Sequence, residues 1–291
     1  VAAGNIFMGM TESPVLIKNY LPTMNRSEIF LVMVSGMGTI AGSVMGTYIG
    51  MLGGTDPAAK VLFATHLLSA SVMAVPGSIV LAKMLCPQTE EATDHVAISG
   101  KEKENSNILD AISSGTVTGV KLMTNIAAML LVFISLVALA NYITEGVIGR
   151  YTGLNDWIVK ITDGKAQGLT FQFILGVITS PFMWLIGVPS QDIMLVGSLL
   201  GLKTILNEFV AYFQLQQWKD AGLFMYEKSI LMSTYILCGF ANISSIGILL
   251  GGLGVLAPEK RGLISRIGVP AMIGGALVSV LSATIIGMIL G

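Results

Sequence analysis

Leu206-Asn207-Glu208-Phe209-Val210-Ala211-Tyr212 and Gly9-Met10-Thr11-Glu12-Ser13-Pro14 each set one glutamate inside an apolar segment of a chain otherwise suited to lipid. A carboxylate at membrane depth costs about 3 kcal/mol even on lenient insertion scales, so it persists where it faces a solute, an ion or a partner charge. Glu12 and Glu208 are therefore the first candidates for a binding site. The rest of the composition agrees with lipid: 53% of the 291 residues are hydrophobic and 11% are charged, against roughly 25% charged in a soluble domain. The chain reads as an all-α integral membrane protein. Its net charge of −1 and the lack of a basic stripe give no case for a nucleic-acid partner. Cys86 and Cys238, far apart and in apolar surroundings, suggest two small buried thiols rather than a disulfide or a metal site.

Charge-free runs near the roughly 20 residues needed to cross hydrocarbon occur at Ile29–Thr55, Val61–Ala82, Leu122–Thr144, Ala166–Gln191, Ser229–Pro258 and Ile267–Gly291. They predict about six transmembrane helices. Segments 1–25 and 188–219 hold the two glutamates and resist that label; each reads as a re-entrant helical hairpin, two half-helices meeting at a polar tip. Between the hairpins, 26–86 reads as a broken helix and a following membrane helix, and 87–107, with Glu90, Glu91, Asp94, Lys101, Glu102, Lys103 and Glu104, as a water-exposed loop. Segment 108–187 reads as an interfacial amphipathic helix over Ile108–Lys121 leading into scaffold helices. Segment 220–291 completes the chain as a second broken helix and a last membrane helix. Lys and Arg are spread over most loops, so the positive-inside rule assigns no orientation. The chain opens at Val1 in an apolar, Gly-rich stretch without a basic leader and reads as a piece of a longer protein.

One unit occurs twice. Glu12 in a hairpin precedes a span carrying Gly38-Thr39-Ile40-Ala41-Gly42-Ser43, and Glu208 in a hairpin precedes a span carrying Gly239-Phe240-Ala241-Asn242-Ile243-Ser244-Ser245. Paired, interrupted hydrophobic segments at corresponding positions of two halves point to an inverted-repeat transport core with its site near the midplane. Where a helix unwinds, its carbonyls lose their i+4 donors and suit a cation, while half-helix N-termini present N–H groups to a polar solute. Glu208, Asn242, Ser244 and Ser245 supply carboxylate, amide and hydroxyl groups able to hold a polyhydroxyl molecule. Other readings stay open at this level: helix packing through small residues for Thr39 and Ser43, interhelical hydrogen bonding for Asn242 and Ser245, and structural pairing for the glutamates.

The segments Asn5-Ile6-Phe7-Met8-Gly9-Met10-Thr11-Glu12-Ser13-Pro14, Ser43-Val44, Leu206-Asn207-Glu208-Phe209-Val210-Ala211-Tyr212 and Cys238-Gly239-Phe240-Ala241-Asn242 resemble, in order, the signatures of the concentrative nucleoside transporters. The resemblance implies a homotrimer in the plasma membrane, in contact with lipid. Each protomer would have a scaffold part and a mobile transport part. Cation-coupled symport would carry nucleosides into the cell by alternating access, with Na⁺ as the coupling ion, H⁺ as its alternative, and no organic cofactor or enzymatic activity. On matching positions, Glu208, Asn242 and Ser245 would hold the ribose hydroxyls and Phe240 would pack beside the nucleoside. Thr11 and Glu12 would address the base, with Val44 as an apolar wall. Asn5, Met8, Thr39 and Ile40 match the Na⁺ site. Met10 stands where the family commonly has Gln, so an amide contact to the base is lost and the base preference is expected to shift. The resemblance also implies that the family's preceding helices are absent from this chain, which is then expected to be unstable alone.

Two alternatives come from other classes and a third from within the transporter class. A channel would line a continuous path with repeated carbonyl or charged rings, whereas this chain carries discrete hairpin motifs. A membrane-embedded hydrolase could pair Glu12 with His66, but no His-Glu-x-x-His spacing occurs and His66 and His95 are unconnected. His66 reads more simply as a hydrogen-bonded helix residue. A cation-coupled transporter of a different polar solute remains the third.

Overall fold

The computed structural model describes residues 1–90, 107–162, 164 and 166–291. Among the described residues all regular structure is helical. The greater part of the polar segment 87–107 lies outside them. The chain divides into two compact units, Val1–His95 with Gln172–Gly291, and Val96–Phe171.

The first unit opens with short 3-10 turns, Gly4–Ile6 and Ser13–Ile17, and no α-helix forms before Arg26. This differs from the expected pair of half-helices. Gly4, Gly9 and Pro14 interrupt the segment, and its backbone bonds are isolated turns such as Met8 N–H to the Gly4 carbonyl (2.9 Å) and Ser13 N–H to Gly9 (3.1 Å). Helix α1 (Arg26–Met37) begins where Asn25 and Glu28 exchange side-chain and backbone bonds in a capping box. After a break at Gly38–Ala41 the chain resumes as α2 (Gly42–Gly53). Asp56 accepts from Ala58 and Ala59 N–H and, with Pro57 next, starts α3 (Pro57–Leu85).

The second unit holds α4 (Ile108–Asn141), a π-helical stretch (Tyr142–Gly149), α5 (Arg150–Thr152) and α6 (Leu154–Ile161). The predicted interfacial helix and the span from Leu122 are thus one uninterrupted helix. No proline lies between Asn107, its N-cap, and Asn141.

Helix α7 (Phe171–Leu185) is 15 residues long, shorter than the run Ala166–Gln191. It stops because Gly187 takes φ 84° and closes a C-terminal turn, Val188 N–H bonding the Met183 carbonyl at 3.1 Å. Helices α8 (Ile193–Ile205) and α9 (Glu208–Asp220) are joined by Leu206-Asn207 and pack on each other, and Asn207 caps α9 through Val210 N–H. Helix α10 (Glu227–Leu237) breaks at Cys238–Asn242 and continues as α11 (Ile243–Leu256). Helix α12 (Arg261–Ile289) closes the chain. Three helical stretches among the described residues are long and apolar enough to cross a membrane: Arg26–Gly53, Pro57–Leu85 and Pro258–Ile289. Of the other predicted runs, Ala166–Gln191 holds only the 15-residue α7 and Ser229–Pro258 is divided at Cys238–Asn242.

Helix α12 packs on α1, α3, α10 and α11. Its small residues permit the approach: a Cβ on Gly275 would lie 2.6 Å from the Met37 Cβ. Around this seam Met33, Met37, Leu249, Leu253, Ile267 and Val278 form the apolar core. Both cysteines are free, and His66 on α3 pairs its Nδ1 with the Tyr235 hydroxyl at 3.1 Å.

Candidate functional site

Two helix breaks meet at the centre of the first unit. Phe240 N–H donates to the Thr39 carbonyl at 3.2 Å, joining the break after α10 to the break after α1. Gly239 makes the contact sterically feasible, since a Cβ there would fall 2.9 Å from the Met37 carbonyl oxygen and 2.7 Å from the Ser279 hydroxyl.

Beside this junction Glu208, the first residue of α9, is 7% exposed. Its carboxylate accepts from the Tyr48 hydroxyl of α2 (3.2 Å) and the Asn242 amide (3.1 Å). Asn242 is the N-cap of α11, its oxygen accepting from Ser245 N–H (2.9 Å) and the Ser244 hydroxyl (2.6 Å). One side chain therefore closes a helix end and orients the carboxylate. Tyr48 stacks on Tyr212 (4.2 Å between centroids), and the Tyr212 hydroxyl donates to the Thr234 carbonyl at 2.8 Å. Acidic groups suit helix N-termini. Glu208 sits at one and beside another.

The N-terminal segment also reaches the break after α1. Gly42 N–H at the start of α2 donates to the Phe7 carbonyl at 3.1 Å. Asn5 is wholly buried and donates to the Ser35 hydroxyl at 3.2 Å; the Thr39 hydroxyl donates to the Ser35 carbonyl at 3.0 Å. The Asn5 side-chain oxygen is buried with no hydrogen-bond partner among the described residues. Ile40, next to Thr39 in sequence, is fully buried, and Met8 is half-buried. Unpaired oxygen in the interior is costly and is what a hard cation would satisfy.

Glu208, Phe240, Asn242 and Ser245 are thus brought together, and Asn5 is joined to Thr39 through Ser35. Thr11 lies against Gly252 of α11, where an added Cβ would be 3.1 Å from its methyl. The exposed Glu12 folds its carboxylate over Gly9, and Val44 is half-buried on α2. No hydrogen bond among the described residues ties Glu12 to the Glu208 cluster. Met10 is 7% exposed and packs in the apolar core, against Gly36 of α1. Sequence reasoning missed Tyr48, Tyr212 and Ser35 and assigned Lys203 no role. Lys203 carried a signal, a lone cation in an apolar segment, whereas Tyr48 is paired with residues about 160 positions away and carried none.

Residues 66–287 match the family described as Na⁺ dependent nucleoside transporter C-terminus. The chain belongs to this nucleoside transporter family. It is 39% identical over 301 residues to sodium/nucleoside cotransporter 1 of Rattus norvegicus, covering 99% of this chain and 43% of that protein. It is 40% identical over 293 residues to an uncharacterized transporter of Haemophilus influenzae, covering 100% of this chain and 65% of that one. The chain therefore spans less than two thirds of these relatives. Among solved structures, CNTnw in an inward-facing substrate-bound state superposes with a TM-score of 0.84 at 36% identity, covering 99% of this chain and 63% of the other. A variant of CNTnw in an outward-facing state gives 0.86 at 36% identity, covering 99% and 64%. The family is one of transporters, not of enzymes.

Proposed function

We propose that this chain forms the transport core of a plasma-membrane symporter that couples Na⁺ to nucleoside entry by alternating access, the whole protein working as a homotrimer. The observation that carries the reading is the bond from Phe240 N–H to the Thr39 carbonyl. It supports the reading by tying the break that carries Thr39 and Ile40 to the break that carries Phe240 and Asn242. Asn5, Met8, Thr39 and Ile40 hold Na⁺, the unpaired Asn5 oxygen supporting this assignment. An ion there fixes Thr39, Thr39 fixes Phe240, and Phe240 leads directly into Ala241 and Asn242. Ion and nucleoside affinities are then linked reciprocally.

On the solute side, an ionised carboxylate offers about four acceptor positions, of which Tyr48 and Asn242 use two. The others take ribose hydroxyls, joined by Asn242 and Ser245, with Phe240 beside the nucleoside. Thr11 and Glu12 address the base against Val44. Met10 acts from behind them, as core packing on α1. H⁺ in place of Na⁺ is the second coupling reading, and a different polar solute the second substrate reading.

Asn5→Ala tests the linkage. The variant is expected to need about tenfold more Na⁺ for half-maximal nucleoside binding, the loss of one hydrogen bond to a charged partner, with affinity restored at saturating Na⁺. Titration of nucleoside binding at several Na⁺ concentrations reads this. An unchanged Na⁺ requirement would remove Asn5 from the ion site.

A further inference from the structure

The two helix breaks solve one electrostatic problem differently. The C-terminal end of a helix carries unpaired carbonyls and the negative end of its dipole. At the break after α10 every carbonyl from Thr234 to Cys238 has a donor from the protein. Tyr212 hydroxyl serves Thr234 (2.8 Å), Cys238 N–H serves Tyr235 (3.1 Å), Gly239 N–H serves Leu237 (2.8 Å), Ser279 hydroxyl serves Cys238 (3.1 Å), and Lys203 Nζ serves Ile236 (2.7 Å). Lys203 is wholly buried, donates also to the Ser279 hydroxyl at 3.1 Å, and lies within electrostatic reach of Glu208. At the break after α1 the protein's donors are neutral: Gly38 N–H to Val34, the Thr39 hydroxyl to Ser35, Phe240 N–H to Thr39. There the Asn5 oxygen is left without a partner among the described residues.

In sequence Lys203 precedes Glu208 by five residues, as Asn5 and Met8 precede Glu12 by seven and four, so it lies in the same stretch of its segment while coinciding with neither position.

We propose that Lys203 is a tethered cation: its ammonium stands at the second break where the coupling ion stands at the first, so the ribose-binding half is held assembled permanently and ion dependence is confined to the first half. Lys203 is a positioning residue, acting on Phe240, Asn242 and Ser245 through the Ile236 carbonyl and through Ser279. The proposal rests on the reading given under Proposed function, and it adds that removing one ammonium creates a second cation requirement.

The test compares the whole protein, wild type and Lys203→Ala, for nucleoside binding and for thermal stability without nucleoside. Na⁺ and propylammonium, which restores the deleted methylenes and charge, are varied in both. Wild type is expected to respond to Na⁺ with a Hill coefficient near one and to ignore propylammonium. Lys203→Ala is expected to bind nucleoside about 10- to 100-fold more weakly, as for the loss of charge-assisted hydrogen bonds, to recover with millimolar propylammonium, and to show a raised Hill coefficient for Na⁺. Wild-type binding by the variant would overturn the proposal, and so would a folded variant whose loss no cation restores. Should Lys203→Ala not fold, purification with propylammonium is expected to yield a monodisperse protein, and failure there counts against the tethered-cation role. Lys203→Met, which keeps the stem without the charge, must also lose affinity; normal binding by it would overturn the proposal. A wild type that binds no nucleoside would instead sink the nucleoside reading, while stabilisation of Lys203→Ala alone by propylammonium would still support the role of Lys203.

Discussion

Glu208→Gln is expected to lower nucleoside affinity by about a hundredfold or more, the scale of losing charge-assisted hydrogen bonds in a desolvated site, while leaving the fold intact. The carboxylate only accepts, and both Tyr48 and Asn242 donate to it. A glutamine must turn an NH₂ group toward one of them. Asn242 cannot reverse its amide in response, because its oxygen is committed to Ser245 N–H and the Ser244 hydroxyl. The amide donor therefore falls beside Tyr48, whose hydroxyl can turn and accept, so the fold absorbs the change and the ribose loses a charged acceptor. Equilibrium binding beside a thermal melt separates the two effects. Near-normal affinity from a folded variant would take Glu208 out of the site.

Gly239→Ala is expected to damage both stability and binding. A Cβ there would meet the Met37 carbonyl at 2.9 Å, the Gly38 carbonyl carbon at 3.2 Å and the Ser279 hydroxyl at 2.7 Å. Two of these neighbours are backbone and cannot rotate away. Overpacking of this kind costs about 1–3 kcal/mol. Separating the breaks also strains the bond between Phe240 and Thr39, so binding is expected to fall further than stability alone would predict. Gly247→Ala is the matched control, on α11 with nothing within 4 Å of the added methyl. A melting temperature for Gly239→Ala equal to that of the control would show that the breaks are not in tight contact.

Part of the candidate site was legible because Glu208 and Asn242 sit at helix starts. Asn207 and Asn242 are N-caps, a role their short polar side chains favour, and each precedes an apolar helical run. Gly38-Thr39 and Gly239-Phe240 mark the interruptions. What escaped was tertiary or concerned length. Tyr48 reaches Glu208 from another helix, and a tyrosine in a Gly-rich apolar run has no distinguishing neighbour. Met10 stands out in its motif as a replacement for Gln, but the motif does not show that its side chain packs against Gly36. Residues 1–25 hold 3-10 turns rather than two half-helices, and α4 runs through the boundary expected at Leu122, because hydropathy registers neither turn geometry nor helix continuity.

The most direct test of the account is uptake of radiolabelled uridine and adenosine into proteoliposomes holding the whole protein, with an inward Na⁺ gradient, with a proton gradient, and with neither. Saturable accumulation of a nucleoside that requires the Na⁺ gradient is the expected result. Folded protein that accumulates neither nucleoside under any gradient would contradict it.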